Sequence, residues 1–320
     1  MVGSVLVHDG VIIGEGYHEY FGGPHAEVNC LSSVKTNERH LIPNSTLFVS
    51  LEPCVHHGKT PPCTDLIIRE NISKVVIGCR DPFIEVNGKG IEKLKAHGIS
   101  VEFPVLEELA KEENRRFFTF HLQKRPYIIL KWAQSANQKI AGSSGEKIQI
   151  SNPYSNLLVH KWRSEEAGIM VGTNTALFDN PELTNRLWAG RSPVRIVIDK
   201  ELRLPDRLKL FDGKEQTIVL NNVSDLTAGK ILFKKIDADI TAVKSILTTL
   251  HSLKILSVLI EGGSKLLQSF IDENIWDEIR IITNRELDIT EGIASPDFRN
   301  TKLVKSEVLG SDTVSYYRKV

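Results

Sequence analysis

The chain lacks most of the features that tie a protein to a compartment or a large partner. Only four cysteines occur among 320 residues, and two of them belong to the motif described below, so a disulfide scaffold is excluded. Cys30 and Cys79 then read as small buried side chains in a reducing compartment. No apolar run is long enough to cross a bilayer, and no charged-then-apolar signal peptide opens the chain. An excess of one charge is also absent. Forty basic and forty acidic residues cancel, so no bulk field points to nucleic acid or to a membrane surface. Aromatics make up only 7% and do not interleave with a basic stripe, which argues against a nucleic-acid editor. There is no GxGxxG, so a Rossmann reading is unsupported. These absences leave a cytoplasmic protein acting on a small molecule, long enough for two domains with their own cores.

What is present is one dense motif. His25-Ala26-Glu27 is followed by Pro53-Cys54 and then by Pro61-Pro62-Cys63. An imidazole and two thiolates select zinc, and three protein ligands leave the fourth tetrahedral position open for water. Zinc lowers the pKa of that water toward ~7. Glu27 stands too near His25 along a helix to share its metal easily, yet near enough to reach the water. A carboxylate there can take a proton and deliver it to a departing amine. These are the parts of zinc deaminases that act on amino-pyrimidines and related bases. Eight residues separate Cys54 from Cys63, where the generic signature has two. The insert carries His56, His57 and Lys59, and a cationic loop pinned by zinc at both ends suits a substrate phosphate. A structural zinc knot is the alternative, but such sites use four protein ligands and would leave Glu27 without a task.

Around the motif the chain alternates strand and helix patterns. Val2 to Val7 and Val11 to Tyr17 form a hairpin through His8-Asp9-Gly10. A helix runs from His25 to about Val34, and Thr46 to Leu51 is a strand ending at Pro53-Cys54. Lys74 to Cys79 and Ile99 to Phe103 are strands flanking a Gly88 to His97 helix, and one long helix over 105–122 closes the unit. Gln123-Lys124-Arg125-Pro126 is polar and helix-ending, which sets a deaminase domain at 1–122 and a second domain at 127–320. In the second domain Tyr127 to Trp132 is a strand, and Asn152-Pro153 starts a helix that runs to about Glu165. Gly168 to Val171, Val194 to Ile198, Thr217 to Leu220 and Ile255 to Ile260 are buried-type strands. The last leads through Glu261-Gly262-Gly263-Ser264 into a helix to Ile271. This is either an anion cradle of bare backbone N–H groups or simply a tight turn.

Taken together, Gly22-Gly23-Pro24-His25-Ala26-Glu27, Pro53-Cys54 and Gly58-Lys59-Thr60-Pro61-Pro62-Cys63 resemble the bifunctional deaminase–reductase family of riboflavin biosynthesis. Asp81-Pro82 and Gly88-Lys89-Gly90 fit the same domain. Leu130-Lys131, Lys139-Ile140-Ala141, His160-Lys161-Trp162-Arg163, Val171-Gly172-Thr173-Asn174-Thr175, Asp179-Asn180-Pro181, Leu183-Thr184-Asn185-Arg186 and Glu261-Gly262-Gly263 resemble its reductase domain. The likeness covers essentially the whole chain.

The resemblance implies an α/β architecture, a cytidine-deaminase-like three-layer domain followed by a dihydrofolate-reductase-like domain. It implies two consecutive reactions. Zinc hydroxide deaminates 2,5-diamino-6-(5-phosphoribosylamino)pyrimidin-4(3H)-one, and NADPH then reduces the ribosyl group to ribityl. His25, Cys54 and Cys63 would hold zinc and Glu27 would shuttle protons. His18, His56 and Lys59 fall where the family contacts substrate. In the second domain Lys139, Arg163, Leu183, Arg186 and Glu261 match substrate contacts. Ala133, Thr175, Asp179, Gly263, Ser264, Lys265, Leu266, Leu267, Gln268 and Ser269 match NADPH contacts. Arg163 and Arg186 suit a phosphate, because guanidinium forks bind it bidentately. The family also implies a homo-oligomer that self-associates through the reductase domain.

The chain departs from the family pattern in places. A helix and a Pro-Asn-Pro turn usually precede the Val2-Gly3 strand, and Met1 stands where that turn would end. The expectation is an internal methionine read as the start. The competing reading is a crippled deaminase that leaves a reductase alone or a zinc-binding regulatory protein. Ala136-Asn137-Gln138 replaces the usual Leu-Asp-Gly, and Gln138 in place of Gly disfavours a positive-φ turn. Gln149 stands where the family has a Trp beside the cofactor, and Lys147 where it has a substrate-contacting Ser.

Overall fold

Asp9 and Gly10 have φ of 46° and 78°, the left-handed pair of a hairpin turn whose hand matches strand twist. They join β1 (Gly3–His8) to β2 (Val11–Tyr17). The structure is a computed structural model, and it describes residues 2–20, 22–57, 60–83, 86–143, 148–237 and 241–320. The chain divides into two compact units, Met1–Gln123 and Lys124–Val320.

In the first unit α1 (Ala26–Ser33), β3 (Thr46–Leu51), α2 (Cys63–Arg69), β4 (Lys74–Cys79), α3 (Lys89–Ala96) and β5 (Ser100–Glu102) follow the hairpin. Among the described residues these strands form one sheet in the order β2-β1-β3-β4-β5. Its hairpin edge is antiparallel, and β3, β4 and β5 are parallel. Leu6, Leu47, Val49 and Ile77 meet Cys30 and Leu31 of α1, Ile67 of α2 and Leu94 of α3 in one core. Cys30 and Cys79 are fully buried. Burial pushes their thiols up to about 11 and about 12, which makes them inert packing residues.

Glycines set how closely α1 lies on β2. A Cβ at Gly16 would sit 2.3 Å from the Cys30 backbone nitrogen, and one at Gly14 2.6 Å from the Cys30 carbonyl oxygen. Only bare backbone allows that approach.

The helix expected over 105–122 is two helices, α4 (Glu107–Glu113) and α5 (Arg115–Gln123). They part at buried Asn114. Its side-chain amide donates to the Ala110 carbonyl at 2.9 Å, the same oxygen its backbone N–H reaches at 3.2 Å. This local side-chain bond competes with the helical ladder and ends the first helix.

The second unit holds β6 (Tyr127–Gln134), β7 (Lys139–Gly142), α6 (Pro153–Glu165), β8 (Gly168–Gly172), α7 (Thr173–Asp179) and β9 (Val194–Ile198). It continues with β10 (Thr217–Asn221), β11 (Leu226–Ala228), β12 (Ile231–Lys235), α8 (Ala242–Ser252), β13 (Ser257–Glu261) and α9 (Ser264–Asp272). The strands β14 (Glu278–Asn284), β15 (Gly292–Ala294), β16 (Thr301–Leu309) and β17 (Asp312–Lys319) end it. Among the described residues the main sheet has the order β11-β12-β10-β9-β8-β13-β6-β14-β17-β16. Its interior is parallel and its outer pairs are antiparallel.

Strand alternation assigns the two faces of β6. Ile128, Leu130 and Trp132 pack in the core that holds Val243 and Leu250 of α8 and Leu267 and Phe270 of α9. Tyr127 and Ile129 lie on the other face with Val159 and Trp162 of α6, as does Leu259 of β13. Two residues further along, Lys131 and Glu261 therefore share the α6 face, and they are register partners.

α6 begins as its sequence predicts, with the Asn152 side chain accepting from Ser155 N–H at 3.0 Å. Gln138 keeps the positive-φ turn that its side chain disfavours, at φ 60°. The turn is held from both sides: Ala136 N–H donates to the Leu287 carbonyl, and the Asn137 amide exchanges bonds with Ile289 N–H and carbonyl. That tertiary pinning overrides the local preference.

Candidate active sites

The end of β3 and the starts of α1 and α2 bring the motif residues together. His25, Cys54 and Cys63 present ligand atoms that all lie within 4.8 Å of one another. His25 Nδ1 is 3.5 Å from Cys54 Sγ and 3.3 Å from Cys63 Sγ. Its other nitrogen, Nε2, faces Thr60 Oγ1 at 3.4 Å. The ring is thus turned with Nδ1 toward the thiols and held from behind, as metal-binding imidazoles usually are. Cys63 N–H points at Cys54 Sγ at 3.3 Å, and both the backbone N–H and the hydroxyl of Thr64 donate to the Cys54 carbonyl.

The electrostatics suit a cation. The Cys54 thiol is held down at about 4, first by its hydrogen bond with Cys63, while the proton the pair shares pushes Cys63 far up. His25 is raised by its hydrogen bond with Cys54. One imidazole and two thiols at these separations match a three-ligand zinc site. Glu27, in the first turn of α1, is only 3% exposed. Burial raises its carboxyl above the ordinary range, which suits a group that must both take and return a proton.

Of the expected substrate contacts, His18 lies at the rim, its ring 5.4 Å edge-on from that of His25 and its Nδ1 3.0 Å from the Pro24 carbonyl. His56 stacks toward Phe83 at 5.9 Å, and its buried Nδ1 has no partner among the described residues. Lys59 and Lys147 lie outside the described residues.

Two residues escaped the sequence reading. Thr60 orients His25, and Glu52 fixes the turn into Cys54. The buried Glu52 carboxylate accepts from four backbone N–H groups: Asp81 at 3.3 Å, Gly88 at 2.9 Å, Gly90 at 2.8 Å and Ile91 at 3.2 Å. It thereby ties the start of α3 to the residue preceding Pro53-Cys54. Its signal was a lone carboxylate ending an apolar strand. Glu52→Ala should cost about 3 kcal/mol or more, since each buried N–H left unpaired costs about 1–3 kcal/mol. Denaturant unfolding of the first transition, followed with zinc content, measures this; a shift under about 1 kcal/mol would refute the role.

In the second unit the site sits where parallel strands end and helices begin. Gly262 and Gly263 have φ of 114° and 69°. A Cβ on Gly262 would lie 2.8 Å from Thr175 Cγ2, and one on Gly263 3.2 Å from Thr175 Oγ1. The end of β13 and the starts of α7 and α9 thus converge on a bare glycine backbone packed closely against Thr175. It fits a nucleotide phosphate at the α9 N-terminus.

The expected NADPH contacts differ in what they present. Ser264, Lys265 and Leu266 open α9, and Ser264 donates to the Ala294 carbonyl. Leu267 is buried in the core, Gln268 is tied to Asp272 and Asp297, and Ser269 donates to Leu266. Ala133 is half-buried in β6, and Asp179 ends α7 at the surface. Gln149 is exposed and donates to the Ser151 carbonyl.

Glu261 ends β13 inside a charged cluster. Arg163 of α6 forks onto it, Nε to Oε1 at 3.2 Å and Nη2 to Oε2 at 2.7 Å, and donates through Nη1 to the Thr184 carbonyl at 3.2 Å. Lys131 Nζ lies 3.9 Å from Oε2. Burial would raise the Glu261 carboxyl, but the Arg163 and Lys131 charges hold it at about 2. The Arg163 fork thus faces a carboxylate, where the sequence suggested a phosphate. Arg186 is exposed, paired with Glu182 and Thr184, and its backbone N–H donates to Nδ1 of buried His160 at 2.9 Å. Burial, then Arg163 and Arg186, depress His160 to about 4, so it stays neutral. Leu183 is buried at φ 54°, which leaves its backbone as the part available to a ligand. Lys139 is half-buried in β7, its backbone bonded to Ser135.

Fold and sites define a two-domain enzyme, a zinc-dependent deaminase followed by an NADPH-dependent reductase. Comparison with known proteins agrees with both halves. Residues 1–79 match the cytidine and deoxycytidylate deaminase zinc-binding region, and residues 126–287 match the RibD C-terminal domain. The riboflavin biosynthesis protein RibD of Aquifex aeolicus is 39% identical over 99% of this chain and 92% of its own length. That of Actinobacillus pleuropneumoniae is 36% identical over 99% and 89%. A crystal structure from Thermotoga maritima, of a diaminohydroxyphosphoribosylaminopyrimidine deaminase/5-amino-6-(5-phosphoribosylamino)uracil reductase, superposes with a TM-score of 0.89 at 38% identity. It is matched over 100% of this chain and 92% of that one. The chain belongs to the RibD family of bifunctional riboflavin biosynthesis enzymes.

Proposed function

We propose that residues 1–122 deaminate 2,5-diamino-6-(5-phosphoribosylamino)pyrimidin-4(3H)-one and that residues 127–320 reduce the ribosyl group of the product to ribityl. The observation that carries this is the convergence of His25, Cys54 and Cys63 beside buried Glu27, in a chain that aligns over 99% of its length with RibD proteins. When bound, zinc acidifies a water molecule and NADPH supplies a hydride. Glu27 takes a proton from the attacking water and hands it to the ring amine, which leaves as ammonia. His18, His56 and Lys59 orient the ribotide. In the reductase, Gly263 and the first turn of α9 receive the cofactor phosphates, with Thr175, Ala133 and Asp179 beside them. Arg186 meets the substrate phosphate, and Lys139, Arg163, Leu183 and Glu261 hold the ring-opened sugar.

The chain has no helix, among the described residues, long and apolar enough to cross a membrane. A cytoplasmic location and self-association through the reductase domain complete the proposal. Two assays test it. Ammonia release from the diamino ribotide reads the first step, and NADPH oxidation on adding the deaminated ribotide reads the second. A zinc-loaded protein that releases no ammonia would refute the first assignment. One that leaves NADPH unoxidised would refute the second.

A further inference from the structure

His160 has no part in the scheme above, yet it touches the segment that carries two of the proposed substrate contacts, Leu183 and Arg186. Residues 181–193 belong to no helix or strand, so side chains rather than a ladder set the path of this stretch. α6 supplies two of them, one turn apart on one face. Arg163 donates through Nη1 to the Thr184 carbonyl at 3.2 Å, and Nδ1 of buried His160 accepts from the Arg186 backbone N–H at 2.9 Å. A backbone N–H can only donate, so Nδ1 carries no proton and the ring is the neutral Nε2–H tautomer. Asn185 closes the next bend, its amide donating to the Trp188 and Gly190 carbonyls. The Arg186 side chain is the part left exposed, reaching Glu182 at 3.0 Å and Thr184 Oγ1 at 2.8 Å.

We propose that His160 is a positioning residue of the reductase, which fixes the Arg186 backbone so that its guanidinium meets the substrate phosphate. The inference rests on the assignment of Arg186 as the phosphate contact. An arginine on an unanchored loop loses affinity to the entropy of ordering loop and side chain together. With its backbone anchored, only the side chain is left to order. The kind of acceptor matters as much as the bond. Arg163 and Arg186 are the cations that act on the imidazole, and Glu261 is the carboxylate. A carboxylate at position 160 would accept the same N–H, but it would add a negative charge beside the guanidinium that the phosphate has to engage. Neutral imidazole supplies the acceptor without that charge. Burial and the two guanidinium groups keep it so. A hydrocarbon side chain would leave the N–H without a partner, and the loop would have to shift to wet it.

The test uses the full chain with NADPH and two substrates, the deaminated ribotide and the same compound without its phosphate. His160→Phe keeps a ring but removes the acceptor, and His160→Asn keeps an acceptor at the Nδ1 position. In His160→Phe, KM for the ribotide should rise about tenfold or more, as a charge-assisted contact is lost. Its kcat, its NADPH binding by fluorescence and its kcat/KM for the phosphate-free compound should stay within about threefold. His160→Asn should bring the ribotide KM back within about threefold of wild type; a KM as high as in His160→Phe overturns the proposal. An unchanged ribotide KM in His160→Phe overturns it too. So does an equal loss for both compounds, because a general loosening of the fold would not single out the phosphate. Should His160→Phe not fold, His160→Leu must show the same phosphate-selective rise, and its absence overturns the proposal equally. Arg186→Gln separates the two levels. If it weakens the ribotide alone while His160→Phe is normal, only the role of His160 falls. If Arg186→Gln leaves the ribotide KM at wild type, the phosphate assignment is wrong and the inference falls with it.

Discussion

Replacing Glu27 by glutamine is expected to slow ammonia release by about 10²–10⁴-fold while zinc remains bound. Glutamine has nearly the same shape, so it fits the buried slot in the first turn of α1 without opening a cavity. It cannot carry a proton from the water to the amine. The ligand atoms of His25, Cys54 and Cys63 lie on other side chains, so metal content measured by atomic absorption should match the parent. Reduction of the deaminated ribotide by NADPH should continue at its normal rate, because the second compact unit has its own core. Ammonia release within about tenfold of wild type would show that another group moves the proton.

The second large effect is expected from the ligands. Cys63→Ser, or a strong chelator on the intact enzyme, should abolish deamination by more than about 10³-fold and release zinc. The damage should spread beyond chemistry. Cys63 opens α2, its N–H points at Cys54 Sγ, and Thr64 bonds the Cys54 carbonyl. Metal binding there is also folding energy, so the first unfolding transition should move to lower denaturant while the second stays. Calorimetry with paired activity assays separates the two. A deaminase that survives zinc removal would refute the metal assignment.

How much of this was legible in the sequence depended on how local the chemistry was. The Asp9-Gly10 turn, the Asn152 cap and the strand Thr46–Leu51 were readable because neighbouring residues decide them. The zinc ligands were readable despite lying far apart, because their residue types admit few other uses. Glu52 was not, since its four partners lie 29 to 39 residues away and appear only once β4 and α3 are in place. Nor was the Arg163 fork on Glu261, 98 residues distant. The sequence offered the guanidinium a phosphate, and the fold gives it a carboxylate. Asn114 shows the opposite failure. It looks like an unremarkable helical residue, and its side chain breaks the helix by bonding the carbonyl four residues back.

Gly14 and Gly16 carry no functional group, yet they act as a gauge for the zinc centre. Because β2 touches the α1 backbone there, the helix cannot be lifted by the width of a methyl group without shifting His25 and Glu27 relative to Cys54 and Cys63. Metal affinity and proton transfer therefore inherit their tolerance from two hydrogen atoms on the far side of the helix. Lesions at these positions would masquerade as catalytic defects, though no reacting group had been touched.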